Sequence, residues 1–432
     1  MSGLAKYCKN VGMIVSGSDV AESIYTRELE NIGIRVFYTH KRRNVRGVEI
    51  VVYNAAINED NPELCAARDN RKLLIKRSEL LGMIIDKYSE RICVAGCHGK
   101  TTVTAMLSHI FCEAGSNPTC FIGGRCLKEG NFTFGDSNIV IAEACEFKRN
   151  FLDIHPNYVV VTNIDNDHMD CYRDMDDLKE AYRLFSRNAV CYWNGSDSLS
   201  CSLQKVGDLS YGKSTEVDYR ADNLSEKDAC FSFDVIKRGC FLCRIELKIL
   251  GEYNVMNALA AVAVADDLGI STERIVLALS SFSGIERRNE WLGRLFGIDC
   301  YADYAHHPHE IAASLITFHK LTKGRLVVVF QPHTYSRTRL LMMDFVESLR
   351  EEENLIVYST YPAREEYDAK GSAYLLKTQL PCALYADTPE RLFSLLRKRT
   401  KDGDVVLFLG AGNLYDIVKK EIKNSRADKA NS

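Results

Sequence analysis

A chain of 432 residues, 46% apolar and 26% charged, is long enough for about three domains and has an ordinary globular balance. A formal net charge of −3 supplies no basic field, which excludes nucleic acid as an expected partner, and no run approaches the roughly 18 apolar residues of a membrane span. Sixteen cysteines are scattered through helix and strand patterns instead of being spaced as a disulfide framework, so they read as reduced thiols of a cytoplasmic protein. The apolar run after Lys6 and Lys9 is too short for a signal peptide.

The chain opens on a helix, SGLAKYCKNVG, followed by a strand at Met13 to Ser16 and a turn at Gly17-Ser18-Asp19. A helix from Tyr25 to Ile32, a strand from Arg35 to Tyr38 and an apolar run from Val48 to Tyr53 continue the alternating rhythm of a parallel α/β sheet. Ser18 and Asp19 sit where such a sheet contacts a nucleotide's ribose or uracil; capping of the next helix is the other reading of Asp19. The stretch from Asn61 to Ile85 reads as charged and helical.

Arg91 to Cys112, RICVAGCHGKTTVTAMLSHIFC, combines a buried strand, a glycine turn and a helix with apolar residues at Val103, Met106, Leu107, Ile110 and Phe111. Unpaired N–H groups at a helix start, approached through Gly96 and Gly99, make a phosphate cradle. Lys100 supplies charge for the distal phosphates, and the Thr101 hydroxyl, followed by Thr102, is a magnesium ligand. The loop is shorter than G-x-x-x-x-G-K-[ST], whose first glycine would fall on Val94.

Two further strands, Asn138 to Ala142 and Tyr158 to Thr162, carry Glu143 and Glu146 after the first and Asn163, Asp165, Asp167, His168 and Asp170 after the second. Ligands of open α/β sheets collect at carboxyl ends of strands, so these residues and the phosphate loop are expected to form one site. Glu143 is placed to hold magnesium beside Thr101. His168 is either a ligand of a second ion, for which manganese suits imidazole as well as magnesium does, or a helix-start residue bonding its turn.

Asn194 to Leu250 reads as a few antiparallel strands; Cys240 and Cys243 lie inside one of them and have no partner pair, which argues against zinc. GEYNVMNALAAVAVADDLGI is a close-packing helix whose Asn254 and Asn257 either contact an adenine or cap it. IERRNE, from Ile285 to Glu290, reads as a polar hinge. Strands then recur at Gly297 to Tyr301, Arg325 to Phe330, Asn354 to Tyr358 and Val405 to Leu409. The first two end in DYAHHPHE and QPHTYSRTR. His306, His307 and His309 lack metal-site spacing, whereas an arginine pair beside histidines suits a carboxylate or phosphate.

Together, GCHGKTT, EACE followed by TNIDNDHMD, GEYNVMNALAAVA, ERRNE, DYAHHPHE, FQPHTYSRTR and a final LGAGN resemble the Mur ligases, in the family's order and over nearly the whole chain. The resemblance implies a three-domain α/β protein: residues 1–88 a Rossmann-like UDP-substrate domain, 89–289 a central ATP-binding mixed sheet, and 290–432 a Rossmann-like amino-acid and ATP domain. It implies ATP-dependent amide formation in cytoplasmic peptidoglycan synthesis, through an acyl phosphate, with magnesium or manganese. UDP-N-acetylmuramate and L-alanine are the implied substrates, and a monomer or weak homodimer the implied assembly.

Carried over by position, Gly96, Gly99, Lys100, Thr101 and Thr102 would hold the phosphates, and Thr101 and Glu143 the first metal. Lys100, His98 and His168 would be catalytic: His98 would approach the muramate or acyl phosphate, and His168 would hold a second metal. Asn257, Arg288 and Asp303 would belong to the ATP site. Tyr304, His306, His333 and Arg337 would line the alanine pocket, with Arg337 on the amino acid's carboxylate.

Cys97 replaces the threonine of the family's GTHGKTT, and Tyr253 replaces the histidine of its GxHN. The family's pattern also opens with a strand and a glycine-rich, pyrophosphate-binding turn ahead of the M-S-G-L-A match, so the expectation is a first sheet lacking that strand and weakened UDP contacts. A sister ligase that adds another amino acid or a recycled tripeptide, an impaired N-terminally truncated copy, and a phosphate-loop motor or switch are the competing functions. The last of these has no need of the carboxyl-terminal His/Arg cluster.

Overall fold

Short runs rich in Val and Ile supply central strands such as Ile139–Glu143, Tyr158–Val161 and Leu326–Phe330, and polar loops follow their carboxyl ends. The computed structural model describes residues 1–55, 57–165 and 171–430. The chain packs as two compact units: one comprises Met1–Leu224, Phe233–Glu246 and Met256–Phe282, the other Ser225–Ser232, Leu247–Val255 and Ser283–Ser432.

The first unit opens with α1 (Ser2–Asn10), β1 (Ser16–Ser18), α2 (Ile24–Asn31), β2 (Arg35–Phe37), β3 (Ile50–Tyr53), α3 (Pro62–Asp69), β4 (Leu73–Lys76) and α4 (Arg77–Ile85). The strands form two separate parallel pairs, β1 with β2 and β3 with β4, in place of one sheet. Met13 to Val15 is not strand, and Gly17 and Ser18 lie in β1 instead of a turn. The charged stretch from Asn61 to Ile85 is also not all helical: Leu73-Leu74-Ile75 breaks it into helix, strand and helix, because those side chains pair in register with Ile50-Val51-Val52.

The larger sheet of this unit is built on β5 (Glu90–Ala95), which leads into α5 (Lys100–Glu113). It continues with β6 (Thr119–Cys126), β7 (Gly130–Thr133), β8 (Ile139–Glu143), β9 (Tyr158–Val161), β10 (Val190–Asn194), β11 (Leu209–Gly212), β12 (Tyr219–Lys227), β13 (Cys230–Lys237) and β14 (Cys240–Leu250). The order is β14-β13-β12-β11-β10-β9-β5-β8-β6-β7. β5 lies between β8 and β9, parallel to both, which sets their carboxyl ends beside the loop that follows it. β11 and β12 are parallel to each other, so the expected antiparallel grouping after Asn194 does not begin until later in the sheet.

Although the apolar residues of α5 recur at the spacing of one face, every residue from Thr102 to Phe111 is buried. The helix packs between the sheet and the helix Thr272–Ser281, so its polar groups need internal partners. Thr104 Oγ1 donates to Lys100 O at 2.8 Å, and the His109 ring nitrogens contact Glu129 at 2.7 Å and Ser281 at 3.0 Å. The core beneath includes Cys93, Ala95, Val140, Ala142, Val159 and Val161; burying each valine contributes roughly 1.5–3 kcal/mol.

The second unit holds a six-stranded sheet in which β15 (Glu290–Leu295), β16 (Ile298–Asp303), β17 (Leu326–Phe330), β18 (Leu355–Tyr358), β19 (Leu384–Ala386) and β20 (Val405–Leu409) take the order β15-β16-β20-β17-β18-β19. β15 is antiparallel to β16 and the other pairs are parallel. The IERRNE stretch therefore ends in a strand and not in a free hinge: Glu290 pairs with Ala302 in the ladder. Apolar clusters cover both faces of this sheet. Among the described residues no helix is long and apolar enough to cross a membrane.

Candidate functional site

The phosphate loop is held by glycines at positions where a side chain does not fit. Gly96 has φ +130°, and a Cβ there would lie 2.0 Å from Thr162 Oγ1; Gly99, the residue before α5, has φ +84° and Asn257 Oδ1 at 2.5 Å from its Cβ position. The left-handed region is costly for residues with a Cβ. Asn257 is thereby placed against the loop.

Loop and neighbouring strand ends are stitched together. His98 N–H donates to Asn163 Oδ1 at 2.9 Å, while His98 O accepts from Thr162 Oγ1 at 2.5 Å and Asn163 Nδ2 at 2.9 Å. The His98 ring lies 3.6 Å from the Asp165 carboxylate. Cys97 Sγ accepts from Asp165 N–H at 3.1 Å, so the thiol takes up a hydrogen-bonding place at the position where the family has threonine.

Lys100 Nζ donates to Gly96 O, to Cys97 O at 3.1 Å and to the Glu146 carboxylate at 3.0 Å. Burial works against its charge, but Glu146 and then Glu143 outweigh it and push the ammonium above the ordinary lysine range. Glu146 is itself fully buried, and Tyr172 Oη donates to its carbonyl at 2.6 Å. Thr101 Oγ1 donates to Glu143 Oε2 at 2.8 Å, and Gly123 N–H donates to the same oxygen at 3.1 Å. Thr102 is buried behind them. His168 lies outside the described residues.

In the second unit, the end of β16 carries its own polar cluster. Asp303 is buried and accepts from Asn289 N–H at 2.8 Å and Ala305 N–H at 2.9 Å; burial pushes its carboxyl up, against the pull of Arg288. Arg288 lies over the Tyr304 ring at 5.3 Å and 3.7 Å from Glu310. His306 Nδ1 contacts Tyr304 O at 2.9 Å, and its ring lies 6.0 Å from that of His333, which stacks on Tyr361. Burial, with help from the Arg337 charge, lowers His306 to about 4, and the same two causes lower His333. Arg337 has no ion pair among the described residues. Tyr253 Oη accepts from Asn289 Nδ2 at 2.7 Å, which accommodates tyrosine where the family has histidine.

The expected residues thus gather in two groups, one in each unit, and Ser18 and Asp19 belong to neither. Ser18 Oγ donates to Glu63 at 2.5 Å, and Asp19 is exposed with its carboxylate on Val20 N–H. Asp19 does not cap α2 either; Ser23 does, in a reciprocal pair with Thr26. Asn254 donates to Leu250 O at 2.8 Å. Three contributors were not singled out: Glu310, Asn289 and Tyr361. Glu310 had a signal, since it stands three residues after His307 in a capping pattern.

A glycine loop at the carboxyl end of a central parallel strand, with a buried lysine and a Thr–Glu oxygen pair, defines a phosphate-loop nucleotide-binding α/β protein. The family models agree in detail: "Mur ligase family, catalytic domain" matches residues 1–89, "Mur ligase middle domain" 94–265 and "Mur ligase, glutamate ligase domain" 287–412. The chain belongs to the Mur ligase family. The UDP-N-acetylmuramate–L-alanine ligase of Caldicellulosiruptor saccharolyticus is 40% identical over 97% of this chain and 95% of its own length. That of Agathobacter rectalis is 36% identical over 98% and 95%. The crystal structure of the UDP-N-acetylmuramate–alanine ligase of Thermotoga maritima superposes with a TM-score of 0.86 at 28% identity, covering 99% of this chain and 97% of that one. A murein peptide ligase from Psychrobacter arcticus, at 21% identity and a TM-score of 0.76, shares the fold.

Proposed function

We propose that this protein joins L-alanine to UDP-N-acetylmuramate at the expense of ATP, in the cytoplasmic assembly of peptidoglycan precursors. The observation that carries this reading is the 40% identity, over nearly the full length of both chains, to a relative of that name. A free carboxylate acylates amines poorly, so the lactyl carboxylate first takes the γ-phosphoryl group of ATP, releasing ADP. The amine of L-alanine then attacks the acyl phosphate, forming the amide and expelling inorganic phosphate as the amine loses a proton.

In this reading the N–H groups at the start of α5, from Gly99 to Thr102, cradle the phosphates, and the Lys100 ammonium neutralises oxygens of the group in transit. Asn257, Arg288 and Asp303 serve the nucleotide. Tyr304, His306 and His333 wall the amino-acid pocket, and Arg337 takes the alanine carboxylate through its planar fork. A neutral His306 suits that pocket, because it leaves Arg337 as the dominant positive charge there. We assign residues 1–88, 89–289 and 290–432 to the UDP-sugar, ATP and amino-acid parts of the work.

Magnesium fits the donors present: a hydroxyl and a carboxylate oxygen of Thr101 and Glu143 lie 2.8 Å apart, and hard oxygen donors suit that ion. Bound there, it would supply charge neutralisation to the phosphoryl oxygens.

Mass spectrometry of products formed from UDP-N-acetylmuramate, ATP and each single amino acid tests the reading. A UDP-N-acetylmuramoyl-L-alanine product made in preference to those of other amino acids and of the tripeptide is expected. Preference for the tripeptide would assign a sister activity.

A further inference from the structure

A small pocket open to solvent lies against Glu143 and is lined also by Met1, Gly3, Arg77, Gly123, Asn131 and Cys145. Among the described residues lining it, Arg77 carries the only positive side chain. Two other cations in this region are already neutralised: Lys6 pairs with Glu28 at 2.6 Å and donates to Asn131 at 3.1 Å, and Arg125 pairs with the same Glu28 at 3.1 Å. Arg77 differs from both, having no hydrogen-bonding or ion-pair partner for its side chain among the described residues. It is also the first residue of α4, where the helix dipole disfavours a cation. A half-buried guanidinium at a helix start, lining a pocket and holding no ion pair among the described residues, is open to an anion.

Glu143 lines the same pocket as Arg77, and its Oε2 accepts from Thr101 of the phosphate loop. An anion held by Arg77 therefore shares a pocket with the carboxylate that adjoins the phosphate loop. We infer that Arg77 binds the carboxylate of the acceptor, the lactyl group of the nucleotide sugar, and orients it for attack. This rests on the ligase reading above and adds to it a residue that positions the nucleophile. A guanidinium matches a carboxylate bidentately and stays charged through the reaction, so it orients the acceptor without exchanging a proton.

The test is a two-by-two comparison of dissociation constants, by calorimetry, for UDP-N-acetylmuramate and its lactyl methyl ester, on the wild type and on Arg77→Gln. The wild type is expected to favour the acid over the ester by about ten- to a hundredfold, the range for a hydrogen-bonded charge pair. Arg77→Gln is expected to bind the two alike. Undiminished discrimination by Arg77→Gln overturns the inference, and so does equal weakening of acid and ester, which would assign Arg77 to the diphosphate. Arg77→Lys, which keeps the charge without the fork, is expected to regain part of the discrimination and serves if the glutamine variant does not fold. A wild type that forms no amide product, yet discriminates acid from ester through Arg77, would count against the ligase reading and leave the inference standing.

Discussion

The ammonium of Lys100 lies 3.0 Å from the carboxylate of Glu146, and both side chains are withdrawn from water. Three acceptors saturate that ammonium before any ligand arrives, two of them carbonyls of its own loop. The pair therefore keeps a buried cation in place for phosphates. Glu146→Gln removes the counter-charge and keeps the shape, so it should destabilise the ligand-free protein by about 3 kcal/mol, the scale for breaking one side of a buried ion pair. ATP supplies the missing negative charge. Thermal unfolding with and without a non-hydrolysable ATP analogue should show a larger ligand-induced rise in Tm for the variant than for the wild type. An equal rise would separate Glu146 from phosphate binding.

Gly99→Ala puts a methyl group 2.5 Å from Asn257 Oδ1 on a residue with φ +84°. Left-handed backbone with a Cβ costs roughly 1–2 kcal/mol, and Asn257 must also withdraw. The KM for ATP should rise about tenfold, a loss of ~1.4 kcal/mol, with little change in the KM for L-alanine. Steady-state kinetics on both substrates check this.

Arg337 lacks a carboxylate partner among the described residues and lies near two histidines whose pKa values it lowers. Arg337→Ala should raise the KM for L-alanine about ten- to a hundredfold, the range for losing a hydrogen bond to a charged group. Arg337→Lys should recover only part of that, since lysine lacks the planar fork.

His306 gives a pH signature. Burial first, then Arg337, hold its pKa near 4, against 6.5 ordinarily, with Glu310 pulling the other way. Between these values the unfolded chain binds the proton and the native one does not, so stability rises with pH. It is fully present above pH 6.5 and is lost as pH falls toward 4, by on the order of 2–4 kcal/mol. Denaturant unfolding from pH 4 to 7.5 should show a shallower loss for His306→Gln than for the wild type.

What the sequence made legible was local. Gly96, Gly99, Lys100 and Thr101 stand together because the turn, the helix start and the phosphate chemistry constrain adjacent residues, and the structure holds them as expected. Pairings across long separations carried no such signal: Glu146 was recognisable as a strand-end carboxylate, but its bond to a lysine 46 residues away depends on β5 and β8 being neighbours. Leu73 to Lys76 was hidden inside a charged window because a four-residue strand is specified by its partner more than by its own pattern. Ser18 was assigned to a substrate from its place after a strand; its actual partner, Glu63, comes from a helix 45 residues on.

The most direct test of the whole account is inorganic phosphate release measured with ATP, UDP-N-acetylmuramate and L-alanine, each omitted in turn. The account predicts release only when all three are present, with one amide formed per phosphate and none from Lys100→Ala. Phosphate release that continues without L-alanine or without the nucleotide sugar would contradict it.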